Sequence, residues 1–255
     1  MSLKGRVALV TGGGRGIGKG ISLCLAEAGA TIAINYRRDE DAAKETAAEI
    51  AKMGGTAKIY SASVENYDED EKMIDAIIKD FGKVDILINN AGIASRGQSI
   101  YETDPAEMER VVRTHAFGSY YCSKLVLPSM RKQPRGDIVM ISSVGSQAYG
   151  ANGAPYAMGK VAQEAVAFVL AKEEQKNNIH VNVVCPGLID TDMGRRLAKA
   201  TRGVGDIHEL DASSPFGRVG SPEDIGKVVR FFVSDEAGYV TGQRINVDGG
   251  ATPFH

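Results

Sequence analysis

Little in this chain of 255 residues points to a metal, a nucleic acid or a membrane. Its three cysteines, Cys24, Cys122 and Cys185, are odd in number and far apart, and none belongs to a C-x-x-C or mixed His/Cys cluster. That excludes the usual metal-finger and disulfide frameworks and suits a reducing compartment. The four histidines are scattered, so no metal cofactor is expected. A net charge of −2 with a pI near 6.1 leaves no electrostatic footprint for nucleic acid. No apolar run approaches the roughly 20 residues of a membrane span. Met1–Gly5 leads straight into a strand-like stretch with no signal-peptide pattern, so a cytoplasmic location is expected. Linkers, repeats and low-complexity stretches are also lacking. What remains, 43% hydrophobic and 24% charged residues, fits a single α/β domain over 1–255 with a sizeable core.

Apolar runs rich in β-branched residues alternate with helical periods along the chain. Strands are predicted at Arg6–Val10, Thr31–Asn35, Thr56–Ala62, Val84–Ile88, Asp137–Ile141, Ile179–Val184 and Arg244–Val247. Helices are predicted between them, one of them long, from the cap Asp104-Pro105 to about Met130, and another from Ser221-Pro222 to about Val233. Such alternation implies a doubly wound parallel sheet of seven strands, a Rossmann arrangement with helices on both faces. Ligands of such sheets bind at the carboxyl ends of the strands. Four polar or glycine-rich clusters follow strand ends: Thr11–Gly18, Asn89–Gly92, Ser142-Ser143 and Pro186-Gly187. Gly203–Gly220 reads as the one long irregular segment, and a substrate lid is expected at about 190–220.

The first cluster lies between a strand and a helix, which is the context a dinucleotide-binding loop requires. Its glycines let backbone approach a pyrophosphate, and the helix N-terminus favours an anion. Tyr156 and Lys160 stand four apart in a helical apolar run and so share one helix face. An ammonium within about 4–6 Å lowers the phenol pKa of about 10. The spacing thus suits a tyrosine that gives and takes protons.

Taken together these motifs resemble those of the short-chain dehydrogenase/reductase family over essentially the whole chain, nearest to bacterial β-ketoacyl-ACP reductases and glucose-dehydrogenase-like members. Thr11–Gly18 is similar to the family's T-G-x-x-x-G-x-G, Asn89–Gly92 to its N-N-A-G, and Tyr156/Lys160 to its Y-x-x-x-K. The resemblance implies hydride transfer between a nicotinamide and a carbonyl or alcohol. Ser143 would bond the carbonyl oxygen, Tyr156 would act as acid and base, and Lys160 would bind the ribose and depress the tyrosine pKa. It further implies a cofactor site of Gly12, Arg15, Gly16, Ile17 and Gly18; Tyr36, Arg37 and Arg38; Ser63 and Val64; Asn90, Ala91 and Gly92; Tyr156 and Lys160; and Pro186, Gly187 and Thr191.

Two positions depart from the family pattern. Ser63 stands where an adenine-binding aspartate is usual. His115 stands where an asparagine supports a water-linked proton relay to the lysine; a neutral imidazole can donate and accept as asparagine does, so His115 is a candidate catalytic residue. NADP(H) is expected over NAD(H), because Asn35-Tyr36-Arg37-Arg38 and Arg15 offer guanidinium groups to a 2′-phosphate. Asp39, the counter-evidence, reads as the N-terminal acid of the next helix. Further expectations are a homotetramer through the long helix and the Tyr156 helix, and acyl carrier protein docking on Arg195, Lys199 and Arg202. The competing function is a non-catalytic dinucleotide sensor or structural subunit, which would be expected to lose Ser143, Tyr156 or Lys160.

Overall fold

The structure is a computed structural model and describes residues 1–252. Strand β1 (Val7–Val10) leads through the glycine loop to α1 (Gly16–Glu27), and β2 (Thr31–Tyr36) to α2 (Glu40–Lys52). Then come β3 (Ala57–Ser61), α3 (Tyr67–Phe81) and β4 (Ile86–Asn89). The long helix is α4 (Pro105–Val112), a π-turn at Arg113–Phe117, and α5 (Gly118–Met130). The second half comprises β5 (Gly136–Ile141), α6 (Gly145–Ala148), α7 (Ala154–Glu173), β6 (Ile179–Pro186), α8 (Asp192–Arg202), α9 (Pro222–Phe232) and β7 (Arg244–Val247).

Among the described residues the sheet has seven strands in the order β3-β2-β1-β4-β5-β6-β7, every pair parallel. Side chains alternate between its faces. Val7, Leu9 and Leu87 pack with α3, α5 and α7, while Ala8, Val10, Ile86 and Ile88 pack with α1, α2 and α9. Chain direction across the sheet reverses between β1 and β4, so the loops leaving these two strands part and open a crevice at their carboxyl ends.

Caps set several helix starts. Asp39 accepts from the Ala42 amide as the N-cap of α2, which accounts for the acid beside the arginines. Asp104 with Pro105 starts α4, and Ser221 with Asp224 forms a capping box for α9. The long helix runs to Met130 as expected, with a π-turn at Arg113–Phe117 set into it. One expectation needs correction. The segment 203–220 is not irregular throughout: it holds 3-10 turns at Ile207–Ser213 and Pro215–Gly217, the first with an Asp206/Glu209 capping box. Ala198, Ile207 and Val219 give it a small core of its own.

One buried group works against the fold. Asp70 of α3 turns inward, and neither carboxylate oxygen has a hydrogen-bond partner. Burial pushes its pKa up to about 8, with the Cys122 thiol offsetting part of the rise. An acid whose folded pKa lies above its unfolded value takes up a proton on folding, so its stability contribution falls as pH rises from about 4 to 8. Asp70→Asn should therefore flatten the pH dependence of Tm between pH 5 and 8. At pH 8 it should raise stability by on the order of 1 kcal/mol, or roughly 2–4 °C for a chain of this size, read by thermal melts.

Candidate active site

The crevice is a cleft of about 630 Å³. One wall is the glycine loop after β1. Gly12 and Gly16 have φ of +60° and +52°, a region that favours glycine, and a Cβ on Gly18 would lie 2.2 Å from the Gly12 carbonyl oxygen. The loop is braced from behind. Asn90 Nδ2 donates to the carbonyls of Thr11 (2.8 Å) and Gly12 (3.2 Å), and Thr11 Oγ1 accepts from the Asn90 and Ala91 amides. Asn35 Oδ1 accepts from the Gly12 amide at 3.1 Å while its Nδ2 donates to Ala62 O. The N-terminus of α1 opens into this cleft and has no side-chain cap. A glycine-rich turn, beside uncapped helix amides, fits a pyrophosphate.

At the far side of the loop lie the arginines. Arg15 pairs with Asp39 (3.3 Å) and Arg37 with Glu65 (2.8 Å), whereas Arg38 has no ion pair among the described residues. Val64 lines the cleft between Ala62 and Glu65, but Ser63 does not; its amide donates to Glu69. Pro186 and Gly187 also stand off the cleft, the carbonyl of Pro186 accepting from Val144 and the amide of Gly187 donating to Val247. Thr191 does line it, at the N-cap of α8, with Met193 and Arg196 from the same helix.

The inner end of the cleft holds Tyr156, Lys160 and His115. Lys160 Nζ is buried and donates to Ile141 O at 2.6 Å and to Gln163 Oε1 at 3.1 Å. It lies 5.8 Å from the Tyr156 ring centroid. Burial pushes Lys160 down to about 8, so it is largely cationic at pH 7. Burial pushes Tyr156 up, opposed by the Ser143 hydroxyl. This corrects the expectation of a lowered tyrosine pKa: the lysine donors are turned to Ile141 and Gln163, and desolvation dominates. Ser143 does not line the cleft, but its Oγ accepts from the Gly145 amide at 3.1 Å and the hydroxyl lies near enough to the Tyr156 phenol to lower its pKa.

His115 fits only because two neighbours are glycines. A Cβ on Gly92 would lie 2.6 Å from its Cε1, and one on Gly159 would lie 3.0 Å from its Cβ. The ring stands edge-on to Tyr156, with centroids 5.3 Å apart. Nε2 meets Ile93 O at 2.8 Å, and Nδ1 is buried without a partner. Burial, then Lys160, pushes its pKa down to about 3, so the ring is neutral. The side chain makes no hydrogen bond toward Lys160.

Three polar residues that the sequence reading passed over complete the site. Glu164 of α7 accepts from Ser142 (2.5 Å) and Ser146 (2.6 Å), and pairs with Arg244 of β7 at 3.2 Å. Arg244 also donates to the Ser143 carbonyl at 3.4 Å, and Ser146 Oγ to the same oxygen at 2.8 Å. This cluster ties the Ser143 loop to α7 and to the sheet edge. In the sequence Gln163 and Glu164 read as a solvated helix face, and nothing local marks them as buried.

The family model described as enoyl-(acyl carrier protein) reductase matches residues 12–252. The chain is 35% identical over 254 residues to a 3-oxoacyl-[acyl-carrier-protein] reductase of Synechocystis sp., covering 99% of each. It is 38% identical over 256 residues to a 3alpha-hydroxysteroid dehydrogenase of Mediterraneibacter gnavus, covering 98% of each. The solved structure of a 7 alpha-hydroxysteroid dehydrogenase complexed with NADH and 7-oxo glycochenodeoxycholic acid matches with a TM-score of 0.89 at 32% identity, over 98% of this chain and 95% of that one.

Removing one partner of a buried ion pair leaves an uncompensated charge and costs about 3–5 kcal/mol, whereas removing both costs much less. Arg244→Met should therefore lower stability in that range in urea melts. The double variant Glu164→Gln/Arg244→Met should recover at least half of the loss.

Proposed function

The chain belongs to the short-chain dehydrogenase/reductase family of oxidoreductases, and on that premise we propose that it transfers a hydride between NADP(H) and a small carbonyl or alcohol, with Tyr156 as acid and base. The observation that carries this reading is the placement of Tyr156 and Lys160 side by side at the inner end of the cleft whose outer wall is an anion cradle. A dinucleotide sensor would not need them there. The two named relatives act, by their names, on an acyl-carrier thioester and a steroid, so this chemistry serves unlike substrates.

The nicotinamide, when bound, supplies or accepts the hydride. The glycine loop and the N-terminus of α1 would hold its pyrophosphate, with Thr191 facing them. Val64, Ala91 and Gly92 shape the wall between, as Ile17 does at the start of α1. Lys160, with two donors committed to Ile141 and Gln163, keeps a third N–H for the ribose hydroxyls or the phenol oxygen. Tyr156, its pKa raised, is a protonated phenol at neutral pH and so is set to donate as a carbonyl oxygen gains charge. Ser143 would hold that oxygen beside it. General acid–base help of this kind is worth roughly 10²–10⁴ in rate.

Cofactor preference rests on the corner where Arg15, Arg37 and Arg38 meet. Asp39 and Glu65 each neutralise one arginine, and Arg38 keeps a free guanidinium for a 2′-phosphate. A charge-assisted hydrogen bond is worth about 1.5–3 kcal/mol, so NADPH should be favoured over NADH by tenfold or more in kcat/KM. Arg38→Ala should erase most of that preference, and equal or better use of NADH by the wild type would refute it.

The surface supports two further points. Val161, Ala165 and Val169 form an exposed stripe along α7, with Phe117 and Tyr120 exposed on the long helix. Val166 and Phe168, by contrast, pack on the core within the chain. This stripe suits a second copy and the homotetramer; a monomer mass by light scattering at micromolar concentration would refute it. For acyl carrier docking, Arg195 is occupied by Asp190 at 2.8 Å, which leaves Arg196, Lys199 and Arg202 as the cationic face of α8.

The central test is Tyr156→Phe with a panel of carbonyls and NADPH. The variant should lose more than tenfold in kcat while binding NADPH with wild-type affinity. Wild-type reduction should decline above about pH 8, where Lys160 loses its proton. A Tyr156→Phe enzyme within tenfold of wild type would remove the tyrosine from the chemistry.

A further inference from the structure

Behind Lys160, away from the cleft, α7 carries a second polar side chain with no exposed surface, Gln163. Its Oε1 accepts from Lys160 Nζ at 3.1 Å. Its Nε2 donates to the Ser119 hydroxyl at 2.7 Å and to the Asn89 carbonyl at 3.3 Å. Ser119 in turn donates to the His115 carbonyl at 2.7 Å, inside the π-turn. Every polar atom of the amide is used.

The orientation of this amide is dictated by its neighbours. The Asn89 carbonyl can only accept, so the NH₂ group must face it. The oxygen is then left facing the lysine. A flipped amide would set oxygen against oxygen at Asn89 and N–H against ammonium at Lys160. The buried ammonium therefore has two fixed acceptors, Ile141 O and Gln163 Oε1, on the side away from the cleft.

Among the other titratable groups around Lys160, Cys185 and Glu164 favour its charged form against the cost of burial. Tyr156, on its own helix, is a neutral phenol. His115, from the π-turn, is a neutral ring. Cys185, on β6, has a thiol pushed up to about 12. Glu164 adds to that support from a distance while its carboxylate holds Arg244, Ser142 and Ser146. Two carbonyl dipoles, one main-chain and one from Gln163, are the groups in direct hydrogen-bond contact with the ammonium.

We propose that Gln163 is a positioning residue for Lys160: oriented by Ser119 and Asn89, it fixes the ammonium at the root of the cleft and sets its affinity for a proton. The inference rests on the role given to Lys160 above. An amide neither releases nor captures protons near neutral pH, so the path from Lys160 through Gln163 to the His115 carbonyl holds the lysine without conducting to it.

The test reads Lys160 itself. Lysine labelled with ¹³C at Cε is followed by NMR through pH 6–11 in the protein without added dinucleotide, the Lys160 signal being the one lost in Lys160→Met. The wild-type midpoint should fall near 8. Gln163→Leu removes an acceptor and should lower the midpoint by about one unit or more; Gln163→Glu places a carboxylate there and should raise it by a similar amount. Ser119→Ala releases the amide and should lower it by less, which keeps the test available if Gln163→Leu does not fold. The alkaline limb of kcat for carbonyl reduction should move in the same direction in each variant. Midpoints within 0.3 unit of wild type in all the folded variants would overturn the proposal, even if kcat or Tm fell. Because the titration needs neither substrate nor cofactor, it can succeed when Tyr156→Phe retains turnover, and fail when it does not.

Discussion

The hydrogen bonds from Asn90 to the carbonyls of Thr11 and Gly12 join two loops that leave the sheet in opposite directions. A parallel sheet covered on both faces has to part its loops where the strand order reverses, and the parting is what opens a crevice. Left alone, the glycine loop after β1 would be a mobile turn with unpaired backbone. Asn90 satisfies the carbonyls on its inner side, Asn35 takes the Gly12 amide, and the outward amides stay free. The geometry of the cleft, from the arginine corner to Tyr156, follows from this bracing.

Electrostatics at the inner end is governed by desolvation more than by charge pairing. Burial drives Lys160 and His115 down and Tyr156 up, and each shift favours the neutral form. Lys160 stays largely charged at pH 7 because Cys185 and Glu164 offset part of the cost of burial, while two carbonyl oxygens accept its protons. The one carboxylate nearby, Glu164, favours the charged lysine but is itself paired with Arg244. The site thus keeps one cation near the reacting group with no anion in direct contact, an arrangement suited to binding a partner that brings its own negative charge or hydroxyl groups.

Much of this was legible in the amino-acid sequence, and the reasons are physical. The five inner strands could be read because both faces are buried, so they appear as short apolar runs; the edge strands β3 and β7 are half-exposed and were read from their place between helices. The helix starts could be read because Asp104-Pro105 and Ser221 carry their caps within a few residues. Tyr156 and Lys160 could be paired because helical spacing is local. What could not be read depends on contacts between distant segments. Asn35 sits inside an apolar strand, and its partners Gly12 and Ala62 are assembled only by the sheet. Gln163 and Glu164 have the composition of a solvated helix face, and only the packing of α7 against β5, β6, α4 and the π-turn buries them. The direction of the Tyr156 shift was missed for the same reason, since spacing predicts a nearby ammonium but not where its protons point.

The bracing of the glycine loop also has a consequence for the order of events during folding. Asn90 and Thr11 are 79 residues apart in sequence, and β1 pairs with β4 across a similar interval, as Ala8 with Ile86. Contacts of such separation are costly to close and form late. During synthesis the glycine loop leaves the ribosome long before the asparagine that shapes it, so the first strand–loop–helix unit has its residues in place but not its conformation. Affinity for an anion would then be acquired in a single step, when β4 docks beside β1, and not built up as the chain lengthens. Loss of Asn90 would accordingly be felt in the arrival of the native state as much as in its stability.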